Sequence, residues 1–275
     1  RQYSQAVKIK TMINSNLIML LDSVFPGINK LFTSPARDTD GHVKWVDFVW
    51  EFPHCDSVAN LTPSVFKKKY KSWCDKNSYH YAEVRAAEIH VFARNCTCPI
   101  RCTPDTVAMV KQTAKFMTDA LENAHKNRTE MDRIASELPE YGTVISMYGI
   151  GKAIGPQLMA EIGDVRRFHS CKAITSYFGY DTEPRDSGQT ISKSRPMTKK
   201  GSPSLRRTLF NVMTVFITNQ PPDEPVYQFL DKKRSEGKHY YCYMAAASAK
   251  FLRIYYAKVG EALRKAASSA TGIYS

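Results

Sequence analysis

The sequence predicts a mostly α-helical protein: a long-helix, coiled-coil region followed by a compact helical domain containing a helix-hairpin-helix. Three observations predict it. Apolar residues recur at helical spacing near the N-terminus, in one long central stripe and again near the C-terminus. A length of 275 residues, 43% of them hydrophobic and 11% aromatic, is enough to bury a real core. The character of the chain changes at Pro139, which sets the expected division at 1–138 and 139–275.

The first helix is predicted from Val7, Met12, Ile13, Leu17, Leu20, Leu21 and Val24, and it stops at Pro26-Gly27. Residues 34–61 mix Pro, Gly, Asp and aromatics without a clear period and are expected to form an irregular linker. Thr62-Pro63 has the capping chemistry of a helix start and opens a basic segment with Lys67, Lys68, Lys69 and Lys71, either a solvated face or a DNA contact. Thr103-Pro104-Asp105 starts the longest helix, where Val110, Ala114, Met117, Leu121, Ala124, Met131, Ala135 and Leu138 alternate steps of three and four, with only Arg128 breaking the seam. Such a seam packs on another long helix, which is the first helix of the same chain or a partner in a coiled-coil dimer. The last stripe, Met244, Ala247, Phe251, Leu252, Tyr255, Val259 and Leu263, is read as core.

Between these stripes, Tyr148-Gly149-Ile150-Gly151-Lys152-Ala153 reads as a tight glycine turn joining two helices. Gly149 and Gly151 allow backbone to approach a phosphate, and the following helix offers N–H groups to the same anion, with Lys152 beside them. A plain packing turn is the other meaning of the same residues. From Ser187 to Pro222 there is no Asp or Glu, while Lys193, Arg195, Lys199, Lys200, Arg206 and Arg207 crowd the first part. A basic, hydroxyl-rich stretch without competing carboxylates suits a phosphodiester. Ser187, Ser192, Ser194, Thr198, Ser202 and Ser204 all lie there, and chemistry alone does not choose among them.

The whole-chain balance agrees, since 39 Lys and Arg against 26 Asp and Glu give a formal charge of +13 and favour an anionic polymer over an acidic small molecule. No apolar run is long enough to span a bilayer. Seven scattered cysteines fit a reducing, cytoplasmic compartment better than a disulfide framework. Cys96, Cys98 and Cys102, with His90 nearby, invite a zinc assignment, but Cys-Thr-Cys is tight and no second ligand pair is visible in the sequence. They are therefore read as free thiols, and no metal ligands are assigned.

Gly149-Ile150-Gly151, Glu161-Ile162-Gly163-Asp164, Arg167-Phe168, Tyr177-Phe178-Gly179, Ser187-Gly188, Met197-Thr198-Lys199-Lys200-Gly201-Ser202 and Leu205-Arg206-Arg207 occur in this order. The series resembles the C-terminal domain of the Piv/MooV-like DEDD transposases, insertion-sequence family one-hundred-ten. The resemblance covers about residues 140–265, and more loosely the helical region before it. It implies a prokaryotic, nucleoid-associated DNA transposase or recombinase, a homo-oligomer (dimer or tetramer), and in some members a guide (bridge) RNA. It implies Ser187 as the nucleophile of a covalent serine–DNA intermediate, with Gly188 as its motif partner. Gly149, Gly151, Lys152, Gly188, Lys193, Arg195, Lys199, Lys200, Arg206 and Arg207 are the expected DNA contacts. The family's Mg2+ is held by an acidic RuvC-like domain. That domain is expected before Arg1, so no cofactor is assigned to this chain and this fragment alone is expected to be inactive. The competing expectation is a non-catalytic helix-hairpin-helix DNA-binding module.

Overall fold

The computed structural model describes residues 2–180, 186–187, 190–191 and 197–271, with side chains described over 2–180 and 197–269. The protein is mostly helical, as the apolar periodicity requires. The chain divides into two compact units, Arg1–Thr129 and Glu130–Ser275.

The first unit holds α1 (Gln2–Val24), α2 (Lys44–Glu51), α3 (Asp56–Ala59), α4 (Pro63–Lys76), α5 (Glu83–Arg94) and most of α6 (Pro104–Ser136). Residues 34–61 correct the sequence expectation, because α2 and α3 lie within them. Their apolar residues Val46, Phe48, Val49 and Val58 are fully buried, yet α2 spans only two turns and α3 one. Segments that short display no period to read. Phe48 is the centre of an aromatic core, with ring centroids 4.9 Å from Phe52, 5.0 Å from Phe32 and 5.7 Å from Trp73. Rings at such distances add edge and offset contacts to the area they bury.

The α1 stripe enters this core through Leu17, Leu21 and Val24, while Met12, expected on the same face, is exposed. Val110, Ala114, Met117 and Leu121 of α6 enter the same core. Leu138 lies beyond the end of α6 and is largely exposed, so the apolar stripe outruns the helix. The basic helix α4 is capped as its sequence requires, the Thr62 hydroxyl accepting from the Val65 N–H, with Pro63 in the first turn. Its inner face buries Phe66, Tyr70 and Trp73 and leaves Lys68, Lys69 and Lys71 exposed.

The second unit contains α7 (Tyr141–Ile145), α8 (Gly155–Ile162), α9 (Cys171–Tyr177), α10 (Pro203–Asn219), α11 (Pro225–Ser235) and α12 (Tyr240–Thr271). α12 lies against α7, α9, α10 and α11. All seven residues of its expected stripe, Met244 to Leu263, are buried. Each of the larger aliphatic and Phe side chains among them contributes roughly 1.5–3 kcal/mol relative to exposure. No described helix is long and apolar enough to cross a membrane.

Candidate nucleic-acid interface

Two glycine-bearing motifs fold against each other beside the Ser187 segment. Tyr177-Phe178-Gly179 follows α9, and Lys199-Lys200-Gly201-Ser202 leads into α10. The Lys199 N–H donates to the Gly179 carbonyl at 3.2 Å. Gly179 has φ 72°, and a Cβ there would meet the Lys200 carbonyl oxygen at 2.7 Å. Gly201 has φ 145°, and its Cβ would collide with the Tyr177 carbonyl oxygen. Only glycine on both sides lets the two backbones pass this closely. Lys199 itself sits at φ 55°, a left-handed conformation that costs on the order of 1–3 kcal/mol and concentrates at functional sites. Tyr180 and Met197, which bracket the Ser187 segment, are thereby held near each other.

Within that segment the described backbone is an antiparallel pairing of Asp186 with Ile191 and Ser187 with Thr190. The Ser187 side chain, and all of Gly188, Lys193 and Arg195, lie outside the described residues.

Side chains lock the surroundings. Ser202 caps α10, its hydroxyl accepting from the Leu205 N–H at 3.2 Å and donating to Glu161 Oε2 at 3.0 Å, which ties α8 to the start of α10. Arg206 donates from Nη1 to the Phe178 carbonyl at 3.2 Å. Gln157 donates from Nε2 to the Thr208 hydroxyl at 2.8 Å. The Arg167 guanidinium lies 4.6 Å from the Tyr177 ring centroid and 4.7 Å from that of Phe168. Arg167, Phe168 and Tyr177 line an open groove of about 690 Å³ together with His169, Ser170 and Lys172. Lys172, Lys199, Lys200 and Arg207 are exposed, whereas Arg206 is half-buried. Nearby, the Arg166 guanidinium hydrogen-bonds Asp164 and holds its carboxyl below the usual range.

The glycine turn separates its expected contacts. Gly149, at φ 77°, has Val212 and Phe216 of α10 at 3.3 Å from where a Cβ would stand, so it serves packing. Gly151 and Lys152 face solvent. The N–H groups of Ile154 and Gly155 donate to the Gly151 carbonyl at 3.0 and 2.8 Å, and Pro156 has none, so these first amides of α8 close the turn.

Sequence reasoning singled out the cations but not what positions them. Glu161, Arg167 and Tyr177 stood within the quoted motifs without an assigned role. Tyr180 and Ser248 carried no sequence signal, yet both hydroxyls are buried. Burial pushes the Tyr180 phenol up to about 12, against the opposing influence of Ser248 and Arg206. Of the described carboxylates near the Ser187 segment, Glu161 is hydrogen-bonded to Ser202 and Asp164 to Arg166, while the side chains of Asp181, Glu183 and Asp186 lie outside the described residues. Among the described residues, groups able to hold a metal occur only in the first unit.

Two curated proteins are similar to this chain, the pilin gene-inverting proteins of Moraxella bovis and Moraxella lacunata, each 31% identical over 111 residues. That alignment covers 40% of this chain and 34% of each relative, so the chain spans about a third of the length of the curated relatives it matches. Residues 142–228, which hold the glycine turn, the paired Gly179 and Gly201 motifs and the Ser187 segment, match the transposase IS116/IS110/IS902 family.

Proposed function

We propose that this chain is the DNA-contacting, strand-transferring part of an insertion-sequence transposase or site-specific recombinase, with Ser187 as its nucleophile. The observation that supports this most directly is the back-to-back packing of Gly179 and Gly201, which anchors both ends of the Ser187 segment among Lys199, Lys200 and Arg206 inside the family match. A reactive serine needs a fixed approach to one phosphate and cations to hold the charge of the pentavalent transition state. Anchored ends limit the excursion of the segment, and the lysines and arginines supply the charge.

In the reaction the Ser187 oxygen attacks a DNA phosphorus, a DNA hydroxyl leaves, and a phosphoserine link holds the strand until an exchanged hydroxyl reverses the step. A free serine hydroxyl is a weak nucleophile and needs a base or metal to take its proton. The magnesium that the family resemblance implies is assigned in this proposal to a separate acidic domain, and no step is assigned to it here. The glycine turn at Gly151 and Lys152 adds a sequence-independent grip on the DNA backbone. Assembly as a dimer or tetramer, and use of a guide RNA, go with the same proposal.

The test is denaturing gel mobility of labelled DNA after reaction with the full-length protein. Ser187→Ala is expected to abolish the protein-linked band while leaving DNA affinity within about threefold, ~0.7 kcal/mol. Ser192→Ala and Ser194→Ala, in the same basic stretch, should keep the band. Loss of the band in one of those two with retention in Ser187→Ala moves the nucleophile along the chain. A full-length protein that binds DNA and never links to it is a binding module.

A further inference from the structure

The fold assembles outside the match a ligand set that no single stretch of sequence displays. Cys96 and Cys98 follow α5, and His54 and Cys55 precede α3, so the two pairs stand 41 to 44 positions apart in the chain. In space they converge beneath the C-terminus of α1. The Cys98 thiol and the Cys55 N–H both donate to the Val24 carbonyl, at 3.0 and 3.1 Å. The Cys96 and Cys98 sulfurs are 3.9 Å apart, Cys55 Sγ is 2.7 Å from Cys98 Sγ, and His54 Nδ1 is 3.6 Å from Cys55 Sγ. A tetrahedral zinc ion with Zn–S bonds of ~2.3 Å and Zn–N bonds of ~2.0 Å has edges of about 3.5–3.8 Å. Of the six edges of such a site, the Cys96–Cys98 and His54–Cys55 separations already have about that length and the Cys55–Cys98 one must open by about 1 Å. His54, Cys55 and Cys98 lie within 4.8 Å of one another, and Cys96 has to close on Cys55 and His54 to take the fourth position.

We propose that Cys55, Cys96, Cys98 and the Nδ1 of His54 form a structural zinc site. The tautomer suits a metal at Nδ1, where the ion would replace the Asp56 N–H as that nitrogen's partner. His54 is almost fully buried, and the Asp56 N–H donates to Nδ1 at 3.1 Å, which leaves that nitrogen unprotonated. The opposite nitrogen, Nε2, then carries the proton and donates to the Ile100 carbonyl at 3.0 Å. Metal-bound histidines are typically oriented in this way by a backbone carbonyl on the far nitrogen. Three thiolates and one imidazole are a soft donor set that suits zinc over magnesium or calcium. His90, the histidine nearest Cys96 in sequence, is occupied elsewhere by the Leu61 carbonyl.

The ion would fasten the irregular stretch between α5 and α6 to the ends of α1 and α3. The same stretch is already tied to α1 by the Ile100 N–H donating to the Ser23 carbonyl at 3.2 Å. The site lies in the first unit and does not depend on the reaction proposed above.

The full chain, purified under reducing conditions without chelator, is expected to carry about one zinc per chain by mass spectrometry of the metal. Replacing zinc with cobalt(II) should give thiolate charge-transfer absorption. Cys96→Ser, at a half-buried position where folding is least at risk, should lower bound zinc to roughly a tenth or less. Cys242→Ser, at an exposed cysteine of the second unit, should leave it at one. The proposal is overturned if reduced wild-type protein neither retains nor takes up zinc added alone, or if folded Cys96→Ser keeps its full complement. A Cys55–Cys98 disulfide found in freshly lysed, alkylated protein also overturns it.

Discussion

Gly201 has φ 145° with the Tyr177 carbonyl oxygen where a side chain would stand, and Gly179 faces the Lys200 carbonyl in the same crossing. Neither position accommodates a Cβ without moving backbone. Gly201→Ala is therefore expected to cost about 2–4 kcal/mol, because both the dihedral and the close approach are violated. In a protein of this size each kcal/mol lowers Tm by roughly 2–4 °C, so thermal unfolding followed by circular dichroism reads the effect directly. Gly151→Ala is the matched control, since Gly151 has a negative φ and open space around it, and it should shift Tm by less than about 2 °C. Equal losses in the two variants would remove the backbone crossing as the reason for these glycines. The sequence displayed both glycines inside recognisable motifs, but it did not disclose that they meet. That fact depends on a contact between segments separated by the whole Ser187 stretch, and no local pattern encodes it. Gly149 shows the opposite limit, because its phosphate-contact and packing meanings share one residue type and only the neighbouring Val212 and Phe216 separate them.

Helices were legible in proportion to their length. α6 and α12 each repeat their apolar pattern over many turns, and α4 announces its start by Thr62-Pro63, whereas the Ser202 cap of α10 became apparent only in the structure. α2 and α3 have neither device and were invisible as helices, although the aromatic core is built around Phe48 of α2. The loop before α2 is tied to α6 by His42, whose Nδ1 is 3.1 Å from Asp47 and Nε2 3.1 Å from Glu122. Burial lowers the affinity of His42 for its proton, but the hydrogen bonds to Glu122 and Asp47 outweigh it, and the net shift is upward from 6.5. A folded pKa above the unfolded value contributes stability that is fully present below pH 6.5 and is lost as pH rises through the folded pKa. The urea midpoint should accordingly fall between about pH 6 and pH 8, and His42→Gln should flatten that fall. An unchanged slope in the variant assigns the pH dependence to another group. On α6, Leu121→Asp places a charge in the core shared with α1 and should cost several kcal/mol, of the order of 3–5. Unaltered urea unfolding in that variant would mean that the stripe is not core.

At the scale of the whole molecule, a formal charge of +13 gives the sign of the partner but not its place on the surface. The structure supplies part of the place, because exposed Lys172, Lys199, Lys200 and Arg207 belong to the same unit as the Gly179 and Gly201 crossing. Cations that touch phosphates release condensed counterions, so log affinity for duplex DNA should fall linearly with log salt, and six to ten contacts correspond to a loss of about 10³–10⁵ between 50 and 200 mM. Binding should also differ little between unrelated duplexes, since backbone contacts carry no base information. Lys199→Gln combined with Lys200→Gln removes two candidate phosphate contacts and should reduce the magnitude of the salt slope by about 2, weakening binding equally on every sequence. Lys68→Gln combined with Lys69→Gln removes the same charge from the exposed face of α4 in the other unit and distinguishes local contact from net charge. If both pairs change the slope alike, the protein binds DNA through diffuse attraction and the crossing has no special role. A change confined to the first pair assigns the phosphate contacts to the rim of the Ser187 segment.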